Sequence, residues 1–551
     1  MPRPELEQKP DFLHSNSLGH LEGLTFTDAS TYQTALTFFG GIPYALPPVA
    51  QYRFRAPRRL PGDFRYGTKA SPGRYNRVAG VCPQPGWLGP PDEKLWDENC
   101  LFLNVYIPSG EAPRWGWPVF FYIHGGFLQW GAPNFDPVKM APLLNSAFKA
   151  IIVAPAYRLN AFGFISSKEL ELEAQENGEP VGNQGFWDQR LALEWVAEHI
   201  SEFGGNPDEI TVGGYSAGSH STFQQLAHEL YFVPDHKAII KRAIMWSNSP
   251  GVQPRTTAQH QAQFDELLTT LDIPLALLPH EKLQRLRALP PRDIIAAQDS
   301  LQISEFRACS DGTFISKSLV HSINTGDFAR RMKRRGIKLL NGECRDEHAL
   351  YAAWRPPVTS TYDAVKLRLC ADYPPEVVSK LMSFYCGDKK SLPHGARDWH
   401  DAFGRLYANM QVHSLERGFH EALDRGGLRY GEDVFRYRFD WRTSGCNLPT
   451  DWGVTHSSDM EIWLWGIDSK TGLTDEEKML LRPWNEAFAK FVKGEKMPDL
   501  WRTKDVKQMV RLKEDGESDV WVDDRWDEGV QCWSAVNASK GGFLNWVRSR
   551  L

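Results

Sequence analysis

The sequence predicts an α/β protein built on a mostly parallel central sheet with helices on both faces. Three observations carry that expectation. From Leu101 to Ser249, apolar runs of strand length alternate with stretches of helical periodicity, and such alternation marks parallel strands joined by helical crossovers. The stretch from 187 to 203 has apolar residues at 191, 193, 195, 196, 200 and 203, the spacing of an amphipathic helix. Finally, the β-type run Ile210-Thr211-Val212 enters a glycine-bracketed serine, and a segment of helical character follows from Ser219 to Leu230.

In chain order, the first hundred residues are rich in Pro, Gly and aromatics, as in Phe39-Gly40-Gly41-Ile42-Pro43-Tyr44-Ala45. They predict short strands and loops. The runs Leu101–Ile107, Val119–Ile123, Ala150–Ala154, Ile210–Val212 and Arg242–Trp246 read as strands. Helix-rich insertions are expected over about 252–335 and 357–430, where leucines and charges fall at helical spacing. Inserted between late strands, they are placed to roof a site. Strand-like runs at Gly336–Asn341 and Asp433–Asp440 follow the two insertions, and Asn485–Val492 reads as helix. The stretch from Lys513 to Glu528 is polar. No fixed-period repeat or long linker divides the chain, so residues 1–551 are expected to form one elaborated domain.

Composition excludes several functions. Lys and Arg number 63 against 68 Asp and Glu, a net charge of −5 without a basic stripe, which argues against a nucleic-acid partner. No clean run of ~18–20 apolar residues occurs, so no transmembrane segment is expected. The N-terminal stretch lacks the apolar core of a secretory signal. Eight cysteines are scattered along the chain, with neither a disulfide-scaffold pattern nor zinc spacing. These features predict a cytoplasmic protein, or a secreted one whose leader has been removed.

The chemistry centres on Gly214-Tyr215-Ser216-Ala217-Gly218, which fits G-x-S-x-G, the nucleophile elbow of the α/β-hydrolase fold. A sharp strand-to-helix turn demands small flanking residues and lifts the serine hydroxyl clear of the backbone. Acyl transfer at Ser216 then needs a base, an acid to orient it, and N–H donors for an oxyanion. Phe121-Tyr122-Ile123-His124-Gly125-Gly126-Phe127 is a strand running into His-Gly-Gly. Gly125 and Gly126, with the N–H of Ala217, are the candidate oxyanion hole. Of 16 histidines, His124 belongs to that loop and His220 to the helix after the serine, where a surface or packing role is expected. The order Ser, then Asp/Glu, then His directs attention to His456 in Asp451-Trp452-Gly453-Val454-Thr455-His456-Ser457-Ser458-Asp459. Before it lies a strand with an acidic turn, in which residue chemistry leaves Glu343, Asp346 and Glu347 open.

Several motifs in the same order resemble the type-B carboxylesterase group that includes the cholinesterases, over about residues 20–545. They are Glu98-Asn99-Cys100-Leu101-Phe102-Leu103-Asn104-Val105, Tyr157-Arg158-Leu159 with Gly163-Phe164, Asn183 through Leu193, Phe203-Gly204-Gly205-Asn206-Pro207, and the elbow itself. The resemblance implies an α/β-hydrolase fold, Glu347 as the acid and His456 as the base. It further implies a disulfide between Cys82 and Cys100, a pair bonded in secreted relatives. The chain departs from the group's pattern at Asn99 (usually Asp), Phe127 (often Gly), His348 (usually Gly) and Tyr215 (Glu in cholinesterases). Pro90 stands where cholinesterases place their ammonium-binding tryptophan, and Trp87 and Trp96 nearby read as structural; choline esters are therefore not the expected substrate.

The expected activity is a serine carboxylic-ester hydrolase working through Ser216, His456 and Glu347, an acyl-enzyme and an apolar small-molecule ester, without metal or cofactor. Acyl transfer to another acceptor, or lactone opening, would use the same residues. A non-catalytic interaction protein is the alternative in another class, weakened here because all three positions are filled. Trp463 and Trp465, soon after His456, suit either a deep apolar site or ordinary helix packing.

Overall fold

The computed structural model describes residues 5–87, 89–469 and 471–537. All seven residues of the strand Trp117–Ile123 are buried. Val119, Phe121 and Ile123 enter one hydrophobic core, while Phe120 and Tyr122 enter a second. Side chains alternate across a strand, so a strand apolar on both faces must be covered on both. This strand and its neighbours therefore lie at the centre of the molecule.

Thirteen strands form the main sheet among the described residues. Its parallel part runs, in spatial order, Ile151–Pro155, Trp117–Ile123, Gly205–Tyr215, Ile240–Trp246, Lys338–Cys344, Val434–Phe439 and Gln508–Leu512. Ile123 pairs with Gly214, Tyr215 with Trp246, and Trp246 with Gly342. That register lines up the C-terminal ends of four strands. Loops leaving those ends are where open α/β sheets bind ligands.

The two margins of the sheet differ from the sequence expectation. The first hundred residues include three antiparallel strands of ten residues each, Leu6–Ser15, Gly19–Asp28 and Thr34–Pro43. Leu6–Ser15 is largely exposed, carrying Glu7, Lys9, Pro10 and Asp11, a composition that blunts a sheet edge but reads as loop. At the other margin the polar stretch contains Ser518–Val522, antiparallel to Gln508–Leu512. One face of it meets solvent, so polarity hid the strand.

The insertions are helical as expected. Thr257–Thr270, Pro279–Ala288, Pro291–Ser300, Leu319–Asn324 and Asp327–Arg335 separate Ile240–Trp246 from Lys338–Cys344. His348–Ala353, Tyr362–Asp372, Pro375–Cys386, Trp399–Gln411 and His413–Arg425 precede Val434–Phe439. Trp463 is not in a substrate site. It lies in the second core, stacked on Trp246 at 6.0 Å with rings 2° from parallel, and Trp465 packs against the same core. No helix among the described residues is long and apolar enough to cross a membrane.

Candidate active site

Ser216 sits between the strand Gly205–Tyr215 and the helix Ala217–Phe232, with φ 57° and ψ −122°. A non-glycine residue in this region carries strain of ~1–3 kcal/mol. The surrounding backbone enforces it: the Ser216 N–H donates to the Trp246 carbonyl at 3.0 Å. The bracketing glycines are required by packing. A Cβ on Gly214 would lie 2.4 Å from the Ile123 carbonyl oxygen, and one on Gly218 only 1.9 Å from the same atom. Thus the elbow is pressed against the neighbouring strand, and its hydroxyl is left facing a cavity.

The loop after Val434–Phe439 brings His456 to that hydroxyl. His456 Nε2 lies 2.8 Å from Ser216 Oγ, and its Nδ1 lies 2.5 Å from Glu347 Oε2. Glu347 Oε1 accepts the Cys344 N–H at 2.8 Å, so the carboxylate is fixed at both oxygens. All three side chains are buried, at 4% exposure for Ser216, 1% for His456 and 0% for Glu347. With Nδ1 facing a carboxylate, the proton belongs on Nδ1, and Nε2 is left to accept from the serine.

The other acids of the turn go elsewhere. Asp346 accepts the Val454 N–H at 2.9 Å and pairs with Arg345, holding the histidine loop without reaching the imidazole. Glu343 turns into a buried ionic cluster with His413, Arg417 and Arg438, whose positive charges hold its carboxyl well below the usual range despite burial. His124 stacks on Tyr157 at 4.4 Å and is pushed down to about 4 by burial; Tyr157 O–H donates to its carbonyl at 2.8 Å. It shapes the loop. His220 is not a helix-surface residue: it is half-buried and lines the cavity above Ser216.

Three neighbours escaped the sequence reading. Tyr351 O–H lies 3.3 Å from His456 Nε2, and burial with the nearby Glu347 charge keeps this phenol protonated. Asp459, three residues past His456, accepts from Ser247 Oγ at 2.7 Å and from Tyr437 O–H at 2.8 Å. Burial and Glu347 push its carboxyl up to about 6. Arg307 donates to the Phe127 carbonyl. Asp459 and Tyr351 each lie about one helical turn beyond a candidate triad residue, His456 and Glu347 respectively, whereas Arg307 arrives from a distant insertion.

In the candidate oxyanion loop, Gly125 packs against Ser216: a Cβ there would meet the Tyr215 carbonyl oxygen at 2.7 Å and Ser216 Cβ at 3.1 Å. Gly126 has φ 108°, and a Cβ would fall 1.8 Å from the Trp130 carbonyl oxygen. Phe127 and Leu128 continue with φ 57° and 63°. Phe127, in place of a third glycine, stacks on Trp354 at 4.9 Å. Trp87 joins the same aromatic group, 4.8 Å from both Trp130 and Trp354.

The cavity over Ser216 has a volume of about 90 Å³. Its walls are mixed and not simply apolar: Phe127, Leu128 and Val252 share them with His220, Arg255, Arg307 and Asp372. Cys82 and Cys100 form a disulfide with their Cα atoms 5.2 Å apart.

The carboxylesterase family model matches residues 12–541. A carboxylic ester hydrolase of Gibberella moniliformis is 52% identical over 532 residues, covering 96% of each chain. The para-nitrobenzyl esterase of Bacillus subtilis is 30% identical over 476 residues, 82% of this chain and 85% of the relative. The crystal structure of Aspergillus niger EstA superposes with a TM-score of 0.73 at 21% identity, covering 96% of this chain and 98% of that one. The fold is that of the α/β-hydrolases, and the chain belongs to the carboxylesterase family.

Proposed function

We propose that the protein hydrolyses carboxylic esters by two-step acyl transfer, with Ser216 as nucleophile, His456 as base and then acid, and Glu347 orienting the imidazole. The observation that carries this reading is the bridge made by His456, 2.8 Å to Ser216 Oγ on one side and 2.5 Å to Glu347 on the other. As the Oγ–carbonyl bond forms, the serine proton passes to His456 Nε2. The tetrahedral oxyanion is received by the N–H groups of Gly125, Gly126 and Ala217, where one such donor is worth ~3–4 kcal/mol in the transition state. Collapse breaks the bond to the alcohol oxygen, which takes the proton from His456. Water then attacks the acyl-enzyme, giving its proton to His456, and the acid leaves as Ser216 Oγ is reprotonated. The ester-hydrolase names of the relatives support the same chemistry.

Labelling with a fluorophosphonate tests the reading. The wild type is expected to take up one label on Ser216 and to lose ester hydrolysis on labelling, and Ser216→Ala is expected neither to take up label nor to hydrolyse esters. A wild type that hydrolyses esters without labelling at Ser216 would sink it. The Cys82–Cys100 bond supports residence in an oxidising compartment over the cytoplasm; peptide mapping of protein secreted by its own host under non-reducing conditions would decide, with free thiols at both positions counting against it.

A further inference from the structure

One wall of the cavity carries charge that ester hydrolysis does not use. Arg255 and Arg307 both line the space above Ser216. Arg255 is 6% exposed. Its guanidinium donates to the main-chain carbonyls of Cys370, Ala371 (3.3 Å) and Tyr373 (2.8 Å), at the C-terminal end of the helix Tyr362–Asp372. No carboxylate ion-pairs with it among the described residues. Arg307 pairs with Asp372 and, at 3.4 Å, with Glu305, and its Nε has no hydrogen-bond partner among the described residues.

Those carboxylates are already shared. Asp372 also accepts from Arg368 at 2.7 Å, and Glu305 from Arg355 at 3.2 Å, with Asp299 completing the group on Arg355. Four arginines thus face three acids; Asp372 lines the cavity beside Arg255 and Arg307 and is the carboxylate that most supports the Arg255 charge, but its two oxygens are taken by Arg307 and Arg368. Glu376, the further carboxylate felt by Arg255, is exposed to solvent. His220 and His260 in the same wall are pushed down to about 4, by burial and by the arginines, so they stay neutral and do not repel an anion further. A buried guanidinium whose supporting carboxylates are shared with other arginines or exposed to solvent is under-compensated, and a carboxylate entering the cavity supplies the missing charge.

We propose that this wall is an anion subsite: the ester substrates carry a carboxylate on the part that enters the cavity, received by Arg255 with Arg307 beside it. The inference rests on the reading of Ser216 as nucleophile. The small volume, about 90 Å³ against ~300–1,000 Å³ for sites that bury drug-sized ligands, favours a short substituent, as in the half-ester of a short dicarboxylic acid or the ester of a short hydroxy acid. This replaces the apolar ester expected from the sequence.

The test compares kcat/KM for two matched pairs: monoethyl succinate against ethyl isocaproate, with the carboxylate on the acyl side, and acetoxyacetate against isobutyl acetate, with it on the alcohol side. At least one anionic ester is expected to be favoured by about 10-fold or more. That ratio should fall to about one in Arg255→Met and recover in part in Arg255→Lys. Because Arg255 also caps a helix, the methionine variant could fail to fold; free succinate slowing fluorophosphonate labelling of wild-type Ser216 then supports the subsite, and no protection overturns it. Neutral esters equal or preferred in both pairs overturn it, as does a preference that survives in Arg255→Met. If neutral esters are hydrolysed normally, only the subsite falls; if nothing is hydrolysed and Ser216 takes no label, the nucleophile reading falls with it.

Discussion

Asp346 and Val454 clasp one another across two loops. The Asp346 N–H donates to the Val454 carbonyl at 2.9 Å, and the Val454 N–H donates to Asp346 Oδ2 at 2.9 Å. Asp346 immediately precedes Glu347, and Val454 stands two residues before His456, so this pair sets the separation of the candidate acid and base. Asp346→Ala is expected to cost about 1.5–3 kcal/mol in stability, the worth of a charge-assisted hydrogen bond. It should lower kcat by roughly 10–100-fold with KM little changed, because a small displacement misaligns the imidazole. Asp346→Asn retains an acceptor and should stay much closer to wild type. Gly453→Ala should resemble Asp346→Ala, since its Cβ would lie 2.3 Å from Asp346 Oδ2 at φ +63°. Urea melts and steady-state kinetics check the series; equal kcat in wild type and Asp346→Ala would refute the coupling.

Gly218→Ala should be severely destabilising. The added methyl would sit 1.9 Å from a main-chain oxygen of a central strand, which cannot move aside as a side chain would. A loss of about 3 kcal/mol or more is expected, seen as a fall in Tm or as insoluble protein. Gly62→Ala is the control, because nothing lies within 4 Å of its Cβ position; it should change stability by less than about 0.5 kcal/mol.

Acid should destabilise the protein well above the carboxylate range. His124, His220, His228 and His260 are each pushed down to about 4, chiefly by burial, whereas an unfolded histidine titrates near ~6.5. Between those values the unfolded chain binds protons that the folded one refuses. Their contribution is therefore intact above pH ~6.5 and lost as pH falls toward ~4, at up to ~1.4 kcal/mol per pH unit for each group. Asp459, raised to about 6, and Glu416, raised to about 8, oppose this within the window, whereas His199, His348 and His420, also lowered by burial, add to it. The urea midpoint should drop continuously from about pH 6.5 to about pH 4.5; a flat midpoint over that range would contradict the buried neutral histidines.

Trp463→Ala separates packing from substrate contact. The ring is buried on the far side of the sheet between Trp246, Tyr437, Phe439 and Phe488. Removal should cost about 3–5 kcal/mol and leave the ratio of kcat/KM between short and long acyl esters unchanged. A shift in that ratio without loss of stability would place Trp463 at the substrate after all.

The sequence by itself determined the features set by local chemistry. Apolar runs of strand length marked the parallel centre, and Gly214 and Gly218 marked a turn that no larger residue can make. Leucines at helical spacing marked the insertions. The edge strands Leu6–Ser15 and Ser518–Val522 were illegible because an edge strand is protected by the same charges, prolines and exposed positions that characterise a loop. Among Glu343, Asp346 and Glu347, residue type offered no choice; family resemblance picked one, and the folded chain gives each a different partner. Only the tertiary structure decided that Trp463 faces away from the cavity, that His220 faces into it, and that Tyr351, Arg255 and Arg307 join Ser216. Periodicity reports which face of its own element a side chain occupies, whereas the walls of a cavity are assembled from insertions far apart in sequence, whose relative placement is settled by the packing of the sheet beneath them.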